Sequence, residues 1–362
     1  MIKLLDKYLT KQFLQTLFFA LLVFIFIFII IDLMEKLDDF IDNSVHNVIV
    51  FRYYFSLIPE IIRLMLPVSV LLAALFTVGK LSNTNEIVAM KSSGIGFLRF
   101  AAPFVVATLL ISLFSVYFGG YVVPQANKER IYIEQNYLKL GIKRANRNIY
   151  FQDSPNRIVT IRYFEPKKEI ANRIGIQQFS PDDITHLIMR IDAPQMKFDT
   201  TKKAWIIDKA VIHYFKGEKD SIAFANKMII DSLNFEPKDV LRKQRKPQEF
   251  TLTELQEAIN DFKRSGNDPT RLEIEYHSRI AFAWASLITL LFALPISVNK
   301  RGSGLALQIG INLLITFVYL AFMQISQAFG KNGALNPVLT AWLANIIFFI
   351  GAVINIYRAE RT

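Results

Sequence analysis

The chain has 362 residues, 52% of them hydrophobic and 20% charged, with a formal net charge of +11. That mixture fits neither a soluble domain nor a bare membrane bundle, so the two characters are expected to be segregated along the chain. Cysteine is absent, which excludes a disulfide framework, a thiolate nucleophile and a cysteine metal site, and the positive excess points to loop bias and anionic lipid before nucleic acid.

MIKLLDKYLTKQ is a basic amphipathic lead into the apolar run Phe13 to Ile31, whose polar members are Gln15 and Thr16. At about 1.5 Å per residue that run crosses a ~30 Å hydrocarbon layer once. It is too long for a cleavable signal and no small-x-small site follows, so it is expected to persist as span 1. An acidic stretch, DLMEKLDDFIDN, comes next and sets Asp32, Glu35, Asp38, Asp39 and Asp42 around Lys36. Span 2 is predicted over Ile58 to Val78, with Arg63, Pro67 and Ser69 inside it, and span 3 over Phe100 to Val123, beginning near Pro103 and ending at Pro124. Hydropathy then collapses and returns in Ile280 to Val298, Leu305 to Ile325 and Val338 to Ile356 as spans 4, 5 and 6.

Between spans 2 and 3 lies NEIVAMKSSGIGFLRF, Asn85 to Phe100. Asn85 is placed to cap a helix from Glu86 to about Ser92 with Ile87, Val88 and Met90 as its apolar side and Gly94 as its stop. The short loops that would share a side with the N-terminus carry Lys3, Lys7, Lys11, Lys80, Lys91, Arg99, Lys300, Arg301, Arg358 and Arg361, whereas the opposite side carries Lys36, Arg52 and Lys331. The positive-inside rule therefore puts both termini and this elbow in the cytoplasm, and the large insert outside.

The insert, residues 125–279, reads as mostly β. MKF at Met196 to Phe198, the turn DTTKK, AWIIDKAVIHYF, the turn KGEKD and SIAFANKMII describe successive strands. Further turn signals at Pro166, Pro181 and Pro194 suggest a sandwich or jelly roll, with Trp205 in its core. A helix near Thr253 to Arg264 closes the insert, with Leu255, Ala258, Ile259 and Phe262 on one face and Gly266 as its stop. The predicted fold is thus a six-helix membrane bundle with an inserted all-β, jelly-roll-like domain, divided as 1–124, 125–279 and 280–362.

Catalytic patterns are missing. The sequence has no GxxxxGK phosphate loop, HExxH, GxSxG or GxGxxG, and His46, His186, His213 and His277 lack ligand spacing. No metal or cofactor is expected, and any ATP-driven process would need its ATPase on another chain.

The order of spans with one large insert between spans 3 and 4 resembles the lipopolysaccharide-export permease family (LptF/LptG). DKYLTKQFL, IPEIIRLMLPVSVLLAALFTVGKLSNTNEIVAMKSSG, VVPQANK and KFDTTKKAWIIDKA carry the likeness, which is strongest from Pro59 to Gly94. The resemblance implies a permease half of an ATP-binding-cassette exporter that pairs with a second permease of the family above a cytoplasmic ATPase dimer. Such a pair extracts lipopolysaccharide from the inner membrane and passes it to a periplasmic jelly-roll bridge protein. It implies further that the segment near 85–93 is a coupling helix, with Glu86 its characteristic acid and Ile87, Val88, Met90 and Gly94 shaping it. Arg63 and Lys36 become candidates for binding the ligand's phosphates, although the carboxylates around Lys36 depart from a purely basic rim. Lateral openings would involve spans 1 and 5, near Phe24 and Phe317. Two other classes compete. Mechanotransmitting permeases of the lipoprotein-release or macrolide-export type place their large domain after span 1, and a membrane-bound envelope-lipid enzyme would need a catalytic constellation.

Overall fold

The computed structural model describes residues 4–138, 147–165, 168–202, 204–216, 219–230, 233–237, 239–240, 245–264, 268–298, 305–333 and 335–360. Pro166, Gly266, Lys3, Lys300, Arg301 and Arg361, and parts of the DTTKK and KGEKD turns, lie outside these residues. The chain separates into two compact units, one reaching Ile133 and resuming at Thr270, the other Glu134–Pro269.

Six helical segments of the first unit are long and apolar enough to cross a membrane. The first, α1 (Leu4–Asp42), and the second, α2 (Asn47–Asn83), run well past the apolar cores read from the sequence. Their 39 and 37 residues make helices nearly 60 Å long, about twice the hydrocarbon thickness. The acidic stretch after span 1 stays helical because α2 supports it: Phe40 is buried and meets the Tyr53 ring edge-on at 5.5 Å. After the short α3 (Glu86–Ser92) comes α4 (Phe97–Tyr117).

Span 3 does not end at Pro124. A π-helical turn, Phe118–Val122, leads directly into α5 (Val123–Asn136), so the helix continues through the proline. Proline removes one amide donor and crowds the carbonyl four residues back, and a widened π turn accommodates both. Two polar contacts then fasten the extension to α2: Asn127 Nδ2 donates to Glu60 Oε2 at 3.3 Å, and Arg52 pairs with Glu129 at 2.8 Å.

The second unit holds one antiparallel sheet of β1 (Arg147–Ser154), β2 (Arg157–Glu165), β3 (Ile170–Phe179), β4 (Leu187–Asp199), β5 (Ala204–Lys216) and β6 (Lys219–Ile230). The strands pair in sequence order, as a meander. The crossover connections of a true jelly roll are absent among the described residues. Pro194, expected at a turn, sits inside β4 instead. Val159, Ile161, Phe164, Ile176, Met196 and Trp205 belong to a common apolar core, to which Phe235 is added from beyond β6. Following the sheet, α6 (Leu252–Arg264) buries Leu255, Ala258 and Ile259, as its 3.6-residue pattern requires. In the turn after β4, Asp199 accepts the amides of Lys202 at 3.2 Å and Thr201 at 2.9 Å, and these bonds hold its carboxyl below the usual range.

Alternation in the sheet slips at the same level in four successive strands. Core residues 161 and 164, 171 and 174, 193 and 196, and 207 and 210 each bracket two consecutive residues that are not buried. The pairings Tyr163↔Asn172, Asn172↔Gln195, Gln195↔Asp208 and Asp208↔Lys227 run along one row of this belt. The register makes Arg162, Arg173, Pro194, Lys209 and Asn226 the other row.

The first unit closes with α7 (Thr270–Ala283) and α8 (Ala285–Val298), which together form span 4 with a break at Trp284, then α9 (Leu305–Lys331) and α10 (Pro337–Glu360). At the break, Asn345 Nδ2 of α10 donates to the Ala281 carbonyl at 2.8 Å, and Asn345 Oδ1 accepts from Tyr319 at 2.6 Å.

Trp205 anchors the β core: it is 1% exposed, its Nε1 donates to the Phe235 carbonyl at 2.8 Å, and Phe198 packs edge-on at 5.1 Å. Trp205→Ala should destabilise this unit by about 3–5 kcal/mol. Trp205→Phe keeps most of the volume but strands the carbonyl, for a loss of about 1–3 kcal/mol. Thermal unfolding of the detergent-purified chain should rank unaltered protein, Phe and Ala in falling order of Tm.

Candidate functional site: the elbow and the charged positions of the spans

Residues Glu86 to Ser92 form the elbow helix α3. Its entry differs from the sequence expectation. Asn85 has φ +58 and makes no side-chain cap; a side chain caps well from extended backbone, and in the left-handed region it is directed elsewhere. Thr84 does not replace the cap, but its hydroxyl donates to Glu86 Oε1 at 2.9 Å and so tethers the first side chain of the helix. At the other end Gly94 has φ +80, and its amide bonds to Lys91 O while that of Ile95 bonds to Met90 O, both at 3.0 Å. Those two bonds make a Schellman ending, where a glycine relieves the left-handed strain.

The apolar side of α3 is divided. Ile87 is buried and Met90 packs against the core of the helical unit, whereas Val88 is 57% exposed and is flanked by exposed Ala89, Lys91 and Ser92. Glu86 does not project freely either. Its Oε2 accepts the Tyr8 hydroxyl at 3.0 Å, and Gln12 Nε2 donates to that same hydroxyl at 2.8 Å. A second tie joins the far flank of the elbow to α1: Arg99 at the start of α4 pairs with Asp6 at 2.7 Å. One end of α1 is therefore fastened to both sides of the elbow.

The other predicted positions are also engaged. Arg63 forks onto Glu60 one turn earlier, Nη2 to Oε1 at 2.6 Å and Nε to Oε2 at 3.3 Å, and its guanidinium lies 5.5 Å from the Phe282 ring centre. Arg279 is buried nearby and pairs with Glu275 at 3.0 Å. Lys36 bonds the Tyr53 hydroxyl, pairs with Asp32 at 3.2 Å, and lies 4.7 Å above the Tyr53 ring. Phe24 is half-buried on α1. Phe317, 70% exposed on α9, lines an apolar groove of about 430 Å³ with Val68, Gly310, Leu313, Leu314 and Leu320. Among the described residues no cluster of histidine and carboxylates is arranged to hold a metal.

Sequence reasoning missed Tyr8, Thr84, Asp6, Arg99 and Glu60 as partners. Only Glu60 had a local signal, its three-residue spacing from Arg63 on one helix face.

These features define a multi-pass membrane protein with an antiparallel β domain inserted between its third and fourth spans. A family model described as "Lipopolysaccharide export system permease LptF/LptG" matches residues 7–358, and the chain belongs to that family. Among its relatives, the lipopolysaccharide export system permease protein LptG of Escherichia coli K12 is 21% identical over 348 residues, covering 96% of both chains. LptG of Haemophilus influenzae is 19% identical over 353 residues, covering 97% of both.

The Glu60–Arg63 pair makes a direct prediction. Removing one partner leaves the other charge in a poorly hydrated site, while replacing both with apolar residues removes that penalty. A double-mutant cycle of Glu60→Leu and Arg63→Met, read by thermal unfolding, should give an interaction energy of about 2 kcal/mol. Simple additivity would show that the pair contributes nothing.

Proposed function

We propose that this chain is one permease half of an ATP-driven lipopolysaccharide exporter in the inner membrane. The observation that carries the reading is the family match from residue 7 to residue 358, which takes in all six spans and the β insert together. The chain lies with both termini in the cytoplasm and its β domain in the periplasm, as the lysine and arginine bias of the short loops favours. It has no ATPase motif of its own, and a cytoplasmic ATP-binding-cassette dimer supplies the hydrolysis.

In this reading α3 is the coupling helix. Val88 and its exposed neighbours give the ATPase a contact surface, Ile87 and Met90 seat the helix on its own bundle, and Gly94 sets the turn back into span 3. Glu86 meets a basic group of the ATPase while Tyr8 keeps its carboxylate oriented. A second permease of the same family packs beside spans 1 and 5, with Phe24 and Phe317 at the lateral openings. Lys36 and Arg63 bind phosphates of the lipid, which compete with Asp32 and Glu60 for the two cations. The β domain hands the lipid to a periplasmic jelly-roll bridge. Its terminal strand β6, with Ile222 57% and Phe224 80% exposed, favours strand addition by such a partner.

Glu86→Lys tests the coupling role. Membrane insertion should be unaffected because the positive-inside bias only grows, while copurification of the ATPase falls or hydrolysis continues without lipid extraction. Normal assembly together with normal extraction would reduce α3 to an ordinary loop helix. Pairing has its own test, made clean by the absence of native cysteine. A cysteine at Phe24 and one in the partner's span 5 should form a disulfide on mild oxidation, since that bond needs Cα atoms within about 7 Å. Failure of every span 1 to span 5 pair would remove the lateral-opening assignment.

A further inference from the structure

We propose that the outward face of the β domain carries a phosphate-binding cleft, centred on Arg173 and Lys209. The belt described above puts Arg162, Arg173, Pro194 and Lys209 in one row across β2 to β5. Neighbouring strands lie about 4.8 Å apart, and like charges set side by side at that spacing destabilise a sheet. Yet Arg162, Arg173 and Lys209 are all exposed, and none has a hydrogen-bond or ion-pair partner among the described residues.

Arg173 has φ +49 and Lys209 φ +54, a region that residues with a side chain rarely occupy. Between them, Pro194 supplies neither an amide donor nor a long side chain. A shallow cleft of about 480 Å³ opens here, its lining including Arg173, Lys209, Arg190, Asp192, Gly175 and Pro194. A Cβ on Gly175 would come within 2.7 Å of Thr160 Oγ1, so any larger residue there would force the Thr160 side chain to shift.

The charges in the cleft do not cancel. Asp192 is taken by Arg190, which forks onto it at 2.7 and 3.0 Å and is itself held more firmly protonated by those bonds. Asp208 lies in the adjoining row, where its cross-strand neighbour is Lys227. Arg173 and Lys209 are left to converge on one compact anion, and the Arg190 fork belongs to the same lining. A tetrahedral phosphate monoester fits this arrangement, because a guanidinium and an ammonium bind it by charge-assisted hydrogen bonds. An extended acidic peptide would need the positive row without the glycine and proline of the lining.

The cleft is tested on the full chain in detergent, without any ATPase, and the Arg173 and Lys209 variants separate its binding from any phosphate held at Lys36 and Arg63. Dioctanoyl phosphatidate and inorganic phosphate serve as probes, with dioctanoylglycerol as the neutral control, and binding is followed by calorimetry. Phosphatidate should bind saturably and dioctanoylglycerol should not. Arg173→Gln with Lys209→Gln should weaken binding about tenfold, near 1.4 kcal/mol, at unchanged Tm. Lys168→Gln, in the β2–β3 turn, should leave it as it was. Displacement by inorganic phosphate at equal concentration would assign the cleft to free phosphate, and displacement only in large excess to a lipid headgroup. Unchanged phosphatidate affinity in the double variant, or tighter binding of a polyglutamate peptide than of either phosphate probe, would overturn the proposal.

Discussion

A hydrocarbon layer offers no partner to a backbone polar group, so one freed inside it must be satisfied by the protein itself. Much of the helical unit follows from that constraint. At the break in span 4 the Ala281 carbonyl accepts the Trp284 amide at 3.1 Å and a second bond from Asn345, which shares its own oxygen with Tyr319. Thr289 donates to the carbonyl of Pro67 in α2 at 3.3 Å, and Ser326 to that of Thr340 at 2.7 Å. Each side-chain bond joins two different helices, so satisfying a local polar demand also fixes which helices are neighbours. The same pressure explains why Arg63 is forked onto Glu60 rather than left open. An unpaired guanidinium at that depth would have to be hydrated or reach the headgroups.

At the elbow the constraint changes character, because water is near and polar contacts are individually weak. Tyr8 to Glu86 and Asp6 to Arg99 are surface interactions, neither of which would hold a helix in place alone. They act on a helix pair that is already packed: Leu9 and Phe13 of α1 are fully buried, and Phe13 meets Phe104 of α4 edge-on at 5.5 Å. Packing thus sets the position of α1, and the two ties set the direction of Glu86. The elbow is thereby tied to α1 by two contacts that do not pass through α2.

The spans were legible because a long apolar run has few other physical meanings. Their ends were not. Outside the hydrocarbon a helix continues on whatever support it finds, as α1 does through Asp32, Lys36 and Phe40, and composition is silent about such support. Pro124 misled for a related reason: a proline ends an α-helix only where the preceding turn cannot widen, and Phe118–Val122 does widen. In the β domain, alternation and turn residues disclosed an all-β insert but not the order of its strands, which pair in sequence as a meander. At the candidate site α3 itself was readable from its start, its apolar residues and Gly94. Its tie to Tyr8 was not, since 78 residues separate that tyrosine from Glu86. The pairing of Arg63 was legible, because Glu60 stands one turn away on the same face.

The slip in the β sheet shows how a single-strand feature becomes a property of the whole. If one strand alone put two successive residues outward, every side chain beyond that point would face the wrong way relative to its neighbours. The defect is tolerated only when adjacent strands slip at the same level, so that core rows re-form on both sides of it. Strands β3 and β5 slip with a left-handed residue, Arg173 and Lys209, and β4 between them slips at Pro194, where no ladder donor is lost because none exists. Each device is costly alone, and together they keep register. Once the slip is concerted, the residues within it are released from the core pattern and can be chosen for what they meet outside. That most of the row is basic, despite the repulsion this brings, is the reason to look for an anion above it.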